Sequence, residues 1–220
     1  ISLNERYAVE LGSFSEIFTI LCIMIMINSL NYFDGIDLNL IFIILIFMVI
    51  FYFEFRVITS YEFWIFITPM ILFAIMNSGI PKIPKMFLGD NGSNCLGFLV
   101  AVFLLLYNKQ GENSFLAQHQ IMWLTSIIVY EFLSINISRI NRKISIFKPG
   151  IDHLHYILNN TFNNKIITIF SISSLVIILF YIGQTLIRYQ ANISFYMYTI
   201  NFLIYFIIRE KLLSKKIILS

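Results

Sequence analysis

Charge is what this 220-residue sequence has least of. Only 12% of its residues are Asp, Glu, Lys or Arg, and 59% are hydrophobic, where a soluble domain carries roughly 25% charged residues. That excludes an ordinary soluble fold, and a net charge of +3 is too small to suggest nucleic acid. Cysteine is nearly absent. Cys22 and Cys95 fall in or beside apolar runs, which excludes a disulfide framework or a zinc spacing and leaves them as buried, reduced thiols. Repeats, low-complexity linkers and long polar stretches are missing as well, the widest polar gap being about 139–164, so a single integral-membrane domain over 1–220 is expected. The chain opens Ile1-Ser2-Leu3, with neither a Met nor the charged-then-apolar pattern of a signal peptide. It reads as the C-terminal portion of something longer.

Apolar length is what the sequence has in excess. A helix needs about 20 mostly apolar residues to cross the hydrocarbon core. Candidate spans fall at 15–32, 39–57, 61–80, 94–108, 119–138, 165–187 and 193–209, the second and fourth being short. The expected fold class is therefore all-α, a polytopic transmembrane helical bundle with about seven spans. Alternate connections then share a side. One side carries Lys82, Lys85, Arg139, Arg142, Lys143, Lys148, Lys165, Arg209, Lys211, Lys215 and Lys216; the other carries Arg6, Arg56, Lys109 and Arg188. Basic residues favour the cytoplasmic side, which puts loops 33–38, 81–93 and 139–164 and the C-terminus in the cytoplasm of a cell-membrane protein. Asp34, Asp37, Asp90, Asp152, His153 and His155 all fall on that same side.

Three segments could carry chemistry. In "NSLNYFDGIDLNL", residues 28–40, Asn28, Asn31, Asp34 and Asp37 recur every three residues where an apolar run ends. Consecutive members can share a helix face, and Gly35 could supply the break that lets all four converge. The same residues would also serve as a polar cap and turn. In "MFLGDNGSNCLGFLVA", residues 86–101, Asp90 follows one glycine and precedes Gly92 and Ser93. A lone carboxylate suits Mg2+, which is usually held by one or two carboxylates plus substrate phosphates. The Ser93 hydroxyl and the amides that start the next helix could take phosphate oxygens, or the group could simply cap that helix. In "FKPGIDHLHYIL", residues 147–158, His153 and His155 could donate to a phosphate or sugar, or could be solvated interfacial histidines. Zinc is a poor fit because no third ligand lies nearby. Glu131, inside a span, is a functional candidate unless it pairs with a structural partner.

In this order and spacing the three segments resemble the polyprenyl-phosphate N-acetylhexosamine-1-phosphate transferases, the bacterial undecaprenyl-phosphate GlcNAc-1-phosphate enzymes most of all. "NSLNYFDGIDLN" is similar to the family's N-A-x-N-x-x-D-G-x-D-G-L, "FLGDNGSNCLGFLVA" to F-M-G-D-x-G-S-x-x-L-G, and "FKPGIDHLHYIL" to the loop ending P-D-R-x-H-x-H-H; "YAVELGSFSEIF" upstream also fits. The resemblance implies transfer of a sugar-1-phosphate, GlcNAc-1-phosphate by preference, from a UDP-amino sugar to a polyprenyl phosphate with release of UMP. This would be the first membrane step of cell-envelope polysaccharide synthesis, such as lipopolysaccharide. It implies Mg2+, with Mn2+ as a substitute, on Asp90 and Asp37, and catalytic roles for Asp34, Asp37 and Asp90. Asn28, Asn31, Gly92, Ser93, His153 and His155 would bind substrate, and a homodimer is compatible with it.

The chain also departs from the pattern. Leu38 stands where the family has Gly, Gly150 and Ile151 replace the Asp and Arg of P-D-R, Tyr156 replaces the last His, and Glu131 stands where Asp is usual. The family's adjacent aspartate pair, upstream of the first span, has no counterpart, since no Asp-Asp occurs in the sequence. On that basis the chain by itself is expected to insert but not to catalyse. A non-catalytic remnant and a secondary transporter are the competing readings. Transporter sites lie near the bilayer midplane, whereas the acids here cluster at one boundary.

Overall fold

The computed structural model describes residues 2–4, 7–8, 12–108, 117–146, 148, 150–189 and 191–219. A short antiparallel hairpin, β1 (Ser2–Asn4) with β2 (Tyr7–Ala8), precedes a chain of helices. A 3-10 turn, Gly12–Phe14, leads into α1 (Ser15–Asn31), followed by α2 (Asn39–Phe53), α3 (Ser60–Asn77), α4 (Gly89–Tyr107), α5 (Gln118–Leu124), α6 (Ser126–Asn141), α7 (Leu154–Phe162), α8 (Lys165–Tyr189) and α9 (Ala191–Leu219). The all-α polytopic reading holds. Each of the seven apolar segments is helical, but four of the described helices are long and apolar enough to span alone, five if α5 and α6 count as one broken span. The difference has two sources. α2 is only 15 residues long, short of a straight crossing, and the described part of α9 falls outside that set.

α2 is apolar all round, which marks a helix enclosed by others. Leu40, Ile41, Ile43, Ile44, Phe47 and Phe51 along it are buried. The outer helices show the reverse pattern: Ile17 and Leu21 of α1, Trp64 and Leu72 of α3, and Phe170 and Ile178 of α8 are exposed. Contiguous apolar surface of this kind is costly in water and natural in lipid. Cys22 is half-buried and Cys95 exposed on such surfaces, which corrects the expectation that both are buried; both are free thiols.

The helices alternate in direction, and bonds at each end fix them. At one end the Leu38 N–H donates to Asn77 Oδ1 (2.6 Å), joining the start of α2 to the end of α3. At the other, the Tyr181 hydroxyl of α8 donates to Glu54 just past α2 (2.6 Å). α3 starts with a capping box in which Thr59 Oγ1 accepts from the Glu62 N–H and Glu62 accepts from the Thr59 N–H. The break between α5 and α6, a bend of 65°, falls at Thr125, whose hydroxyl donates back to the Ile121 carbonyl (2.8 Å). Such back-bonding bends helices.

α1 and α4 lie closest together, because Gly97 lacks a side chain. A Cβ there would sit 2.7 Å from Ile27 Cα, in the backbone of α1. This close approach sets the spacing of the helix ends that carry the first two motifs. Gly97→Val is expected to force α1 and α4 apart and to cost about 1–3 kcal/mol, as overpacking does. Thermal unfolding in detergent checks this; an unchanged midpoint would mean the two helices do not pack this tightly.

Candidate functional site

The turns and loops of the three motifs meet at one end of the bundle. α1 stops at Asn31, and the chain turns through 32–38 before α2 begins. The amides of Tyr32, Phe33 and Asp34 still bond to the carbonyls of Asn28, Leu30 and Asn31, which keeps the turn tight. Asn39, buried, closes it from below by donating to the Phe33 carbonyl (2.9 Å). Leu38 takes φ +71 at this point, a left-handed conformation that costs a residue with a Cβ roughly 1–2 kcal/mol. That is the position where the resembling family has Gly.

Asp90 is the second residue of α4 and follows Gly89, whose φ of +64 lets the chain turn into the helix. One turn on, the buried Ser93 hydroxyl donates to Asn31 Oδ1 (3.0 Å), so the end of α1 and the start of α4 are tied side by side. Asp34 lies within reach of the charges of both Asp37 and Asp90. Burial first, then the charges of Asp90 and Asp37, push Asp34 up to about 6. Asp37 moves the other way. Burial alone would raise it, but the Lys165 and Lys85 ammonium groups on its Oδ2 outweigh that and lower it. The Lys85 bond is 2.8 Å long, and Lys165 arrives from the first turn of α8.

The histidine loop lies against the same turn. His153 is the extended N-cap of α7 and packs against Tyr32 with the rings tilted by 52° and 4.7 Å apart; the His153 and His155 rings are parallel, 5.7 Å apart. Burial lowers the pKa of His153 and drives that of His155 down to about 3, with the charge of His153 adding to the effect and the Tyr32 backbone opposing it. His155 packs onto Gly35, where a Cβ would lie 2.0 Å from Nε2. Gly35 therefore serves as the seat of a histidine ring rather than as the helix break expected of it, since α1 already ends at Asn31 and the left-handed residue of the turn is Leu38. Arg139 fastens the loop further back. It pairs with both carboxylate oxygens of Asp152 (2.9 and 2.7 Å) and donates to the carbonyls of Ile146 and Lys148 (2.9 and 2.7 Å).

Not every residue named from the sequence joins this cluster. Asn28 is exposed and its amide donates back along its own helix to the Met24 carbonyl (2.7 Å). Gly92 faces its neighbour Leu88, whose Cγ a Cβ would approach to 2.7 Å. His155 is enclosed, with both ring nitrogens buried and the Tyr32 backbone as the polar group that acts on them. Glu131 is ion-paired with Arg209 in the interior (3.0 Å), the structural partner that a span acid can have. Lys85, Lys165, Asn39, Asn77 and Arg209 escaped sequence reasoning. A charge inside an apolar helix was the available signal for Arg209; the others carry no signal without knowing which turn they face. Among the described residues, no three His, Cys, Asp or Glu side chains come together as a metal cage.

Two expectations follow from the histidine seat. Gly35→Ala should destabilise the protein by displacing the His155 ring, and His155→Ala in the same chain should recover part of the loss. The second concerns pH. A histidine whose folded pKa lies near 3, below its ordinary 6.5, contributes stability that is complete above about pH 6.5 and declines as pH falls toward 3. Melting in detergent from neutral to mildly acidic pH should show this decline, and His155→Asn should flatten it. An identical slope in the variant would refute the assignment.

Comparison with known proteins gives relatives for the sequence. Glycosyl transferase family 4 matches residues 2–108. The undecaprenyl-phosphate alpha-N-acetylglucosaminyl 1-phosphate transferase of Escherichia coli strain K12 is 29% identical over 156 residues, covering 67% of this chain and 41% of that protein. Its namesake in Salmonella typhi is 28% identical over 155 residues, with the same coverage. That of Haemophilus influenzae is 29% identical over 94 residues, 42% of this chain and 26% of that protein. The chain thus spans about two fifths of the length of the first two of these relatives. No solved structure matches it. Residues 2–108 are thus similar to glycosyl transferase family 4, and the chain resembles the curated undecaprenyl-phosphate alpha-N-acetylglucosaminyl 1-phosphate transferases, as its motifs led one to expect.

Proposed function

We propose that this chain, as one membrane domain, forms the cytosolic-face site at which a sugar-1-phosphate, GlcNAc-1-phosphate by preference, passes from a UDP-sugar to undecaprenyl phosphate. One observation carries the reading: Asp34, Asp37 and Asp90 meet at one end of an apolar bundle, where the Ser93–Asn31 bond joins their two segments. In the reaction, an oxygen of the lipid phosphate forms a bond to the β-phosphorus of the UDP-sugar. The bond from that phosphorus to the bridging oxygen breaks, and UMP leaves with the electron pair. Two anions must approach each other, so fixed positive charge has to offset their repulsion.

The donor set fits a divalent cation. The described residues form no three-ligand cage, but Mg2+ is usually held by one or two carboxylates plus substrate phosphates. Burial first, then the charges of Asp90 and Asp37, push Asp34 up to about 6, and Mg2+ or Mn2+ would relieve that negative charge. Of the two proposed ligands, Asp90 is the stronger, because Asp37 already meets two lysines. Bound there, the metal would supply charge neutralisation for the diphosphate. Asp37 with Lys85 and Lys165 is suited to orienting the diphosphate, Asn31, Ser93 and Asp34 to the nucleotide, and His153 to the sugar phosphate. A homodimer is compatible with this scheme. By resemblance, catalysis also draws on an adjacent aspartate pair absent from this sequence, so the chain by itself is proposed to insert and bind without turnover. The buried His155 and the altered residues Gly150, Ile151 and Tyr156 favour the second reading, a non-catalytic remnant.

Asp90→Asn keeps shape and most capping but removes the charge. Mg2+-dependent binding of labelled UDP-GlcNAc to the purified protein is expected to fall at least about tenfold, the scale of one charged hydrogen-bonding group, with insertion and melting near normal. Loss of folding with binding per folded molecule retained would make Asp90 structural, and no binding by the unaltered chain would favour the remnant. Labelled lipid formed with polyprenyl phosphate at a rate like that of an intact relative would overturn the expectation of no turnover.

The orientation is tested separately. The 139–164 loop and the C-terminus are proposed to be cytosolic and the 109–118 connection, of which 109–116 lies outside the described residues, external. Single cysteines at 148 and 113 in a background without Cys22 and Cys95 should label with an impermeant reagent at 113 only. The reverse pattern would remove the site from the cytosol.

A further inference from the structure

We propose that Glu131 and Arg209 are positioning residues that hold the histidine loop against the aspartate turn. The effect on substrate rests on the transferase reading above; the anchoring itself rests on geometry. Leu154 is the first residue of α7, and its N–H is one of the donors a helix start leaves without an internal partner. The His153 N-cap side chain makes no capping bond. Glu131, from the middle of α6, takes that role and accepts the Leu154 N–H on Oε1. Its other oxygen accepts from the Tyr205 hydroxyl (2.6 Å) and from Arg209 Nε (3.0 Å), both on α9. Arg209 then reaches back through Nη2 to the Asp152 carbonyl. His153 is thus the residue between two backbone groups, the carbonyl before it and the amide after it, that are held by one ion pair.

That pair is entirely out of solvent, with both side chains about 1% exposed or less. Burying two charges costs desolvation, and well-packed apolar replacements for such pairs are often neutral or stabilising. Stability alone therefore gives no reason for the charges. Directional hold on a loop does, because apolar side chains cannot fix a carbonyl and an amide in place. Lysine at 209 could keep a charge opposite Glu131 but not the fork that also reaches Asp152. The partners lie on α6, α7 and α9, so the C-terminal helix becomes part of the site although residue 209 lies beyond the family match over 2–108.

The test uses the full chain in detergent with two variants, the double replacement Glu131→Leu with Arg209→Met, and Arg209→Lys alone. Three readouts separate positioning from folding: hydrogen exchange at the Leu154 amide, acylation of His153 and His155 by diethyl pyrocarbonate, and Mg2+-dependent binding of UDP-GlcNAc. In the double variant, exchange and histidine acylation should each rise at least about tenfold while the melting temperature stays near that of the unaltered chain. Arg209→Lys should keep Leu154 protected, since Glu131 remains, yet raise histidine acylation and weaken nucleotide binding. Tyr181→Phe, which breaks a bond at the opposite end of the bundle, should leave all three unchanged. Protected Leu154 and unreactive histidines in a folded double variant would overturn the proposal. Should that variant fail to fold, unchanged acylation in Arg209→Lys would overturn it equally. If loop readouts shift as expected but no chain binds UDP-GlcNAc, the positioning role stands and the transferase reading fails.

Discussion

A carboxylate and a guanidinium share the dry space between α6 and α9, and the loop carrying the histidines hangs from them. Taking either ion out of water alone would cost several kcal/mol. Glu131 and Arg209 persist there because each lone pair and donor finds use: one carboxylate oxygen caps α7, the other meets Tyr205 and Arg209, and the guanidinium also reaches Glu210 (2.9 Å) and the Asp152 carbonyl. Remove one partner and the other becomes an uncompensated buried charge. The pair therefore couples three helices, α6, α7 and α9.

From that anchor the site can be followed outward. The loop sets His153 on Tyr32 and His155 on Gly35, so the turn between α1 and α2 is covered from one side. From the other, Gly97 lets α4 approach α1 until Ser93 reaches Asn31. The carboxylates stand at the exposed edge between these contacts, with Lys85 and Lys165 balancing one of them. An apolar bundle concentrates its polar groups where helices end, because backbone and charge can be hydrated there. That boundary is where the proposed transfer would take place.

Leu38 shows how a local departure is tolerated. Its positive φ is strained for a side chain, yet its N–H is held by Asn77, whose own amide donates to the Met86 carbonyl (2.8 Å). The strained turn is thus fixed by the same side chain that ties the loop before Asp90 to α3. Gly150, against which Asp152 and Arg139 pack with no room for a Cβ, is a second case: the residue that departs from the resembling motif leaves space for a bidentate ion pair.

The positions of the helices, the apolar class of the fold and the three polar segments were legible in the sequence, because hydrophobic run length and the Asn-Asp-Gly turns are local properties of the chain. The difference between Asp34 and Asp37 was not. Both are aspartates three residues apart, and only packing sets one among carboxylates and the other under two lysines, one of them 128 residues away. Glu131 read equally well as a reacting group or as half of a pair until α9 brought Arg209 beside it. Nor could residue spacing say that His155 would be enclosed while His153 packs at a tilt against Tyr32. The sequence by itself determined that the chain is built of apolar helices and where polar groups must gather, since those depend on transfer free energies summed along the chain, whereas how many helices can span differed from the seven expected. Tertiary structure decided which charges neighbour one another, since electrostatic and hydrogen-bond energies depend on separations of a few ångströms between groups far apart in sequence.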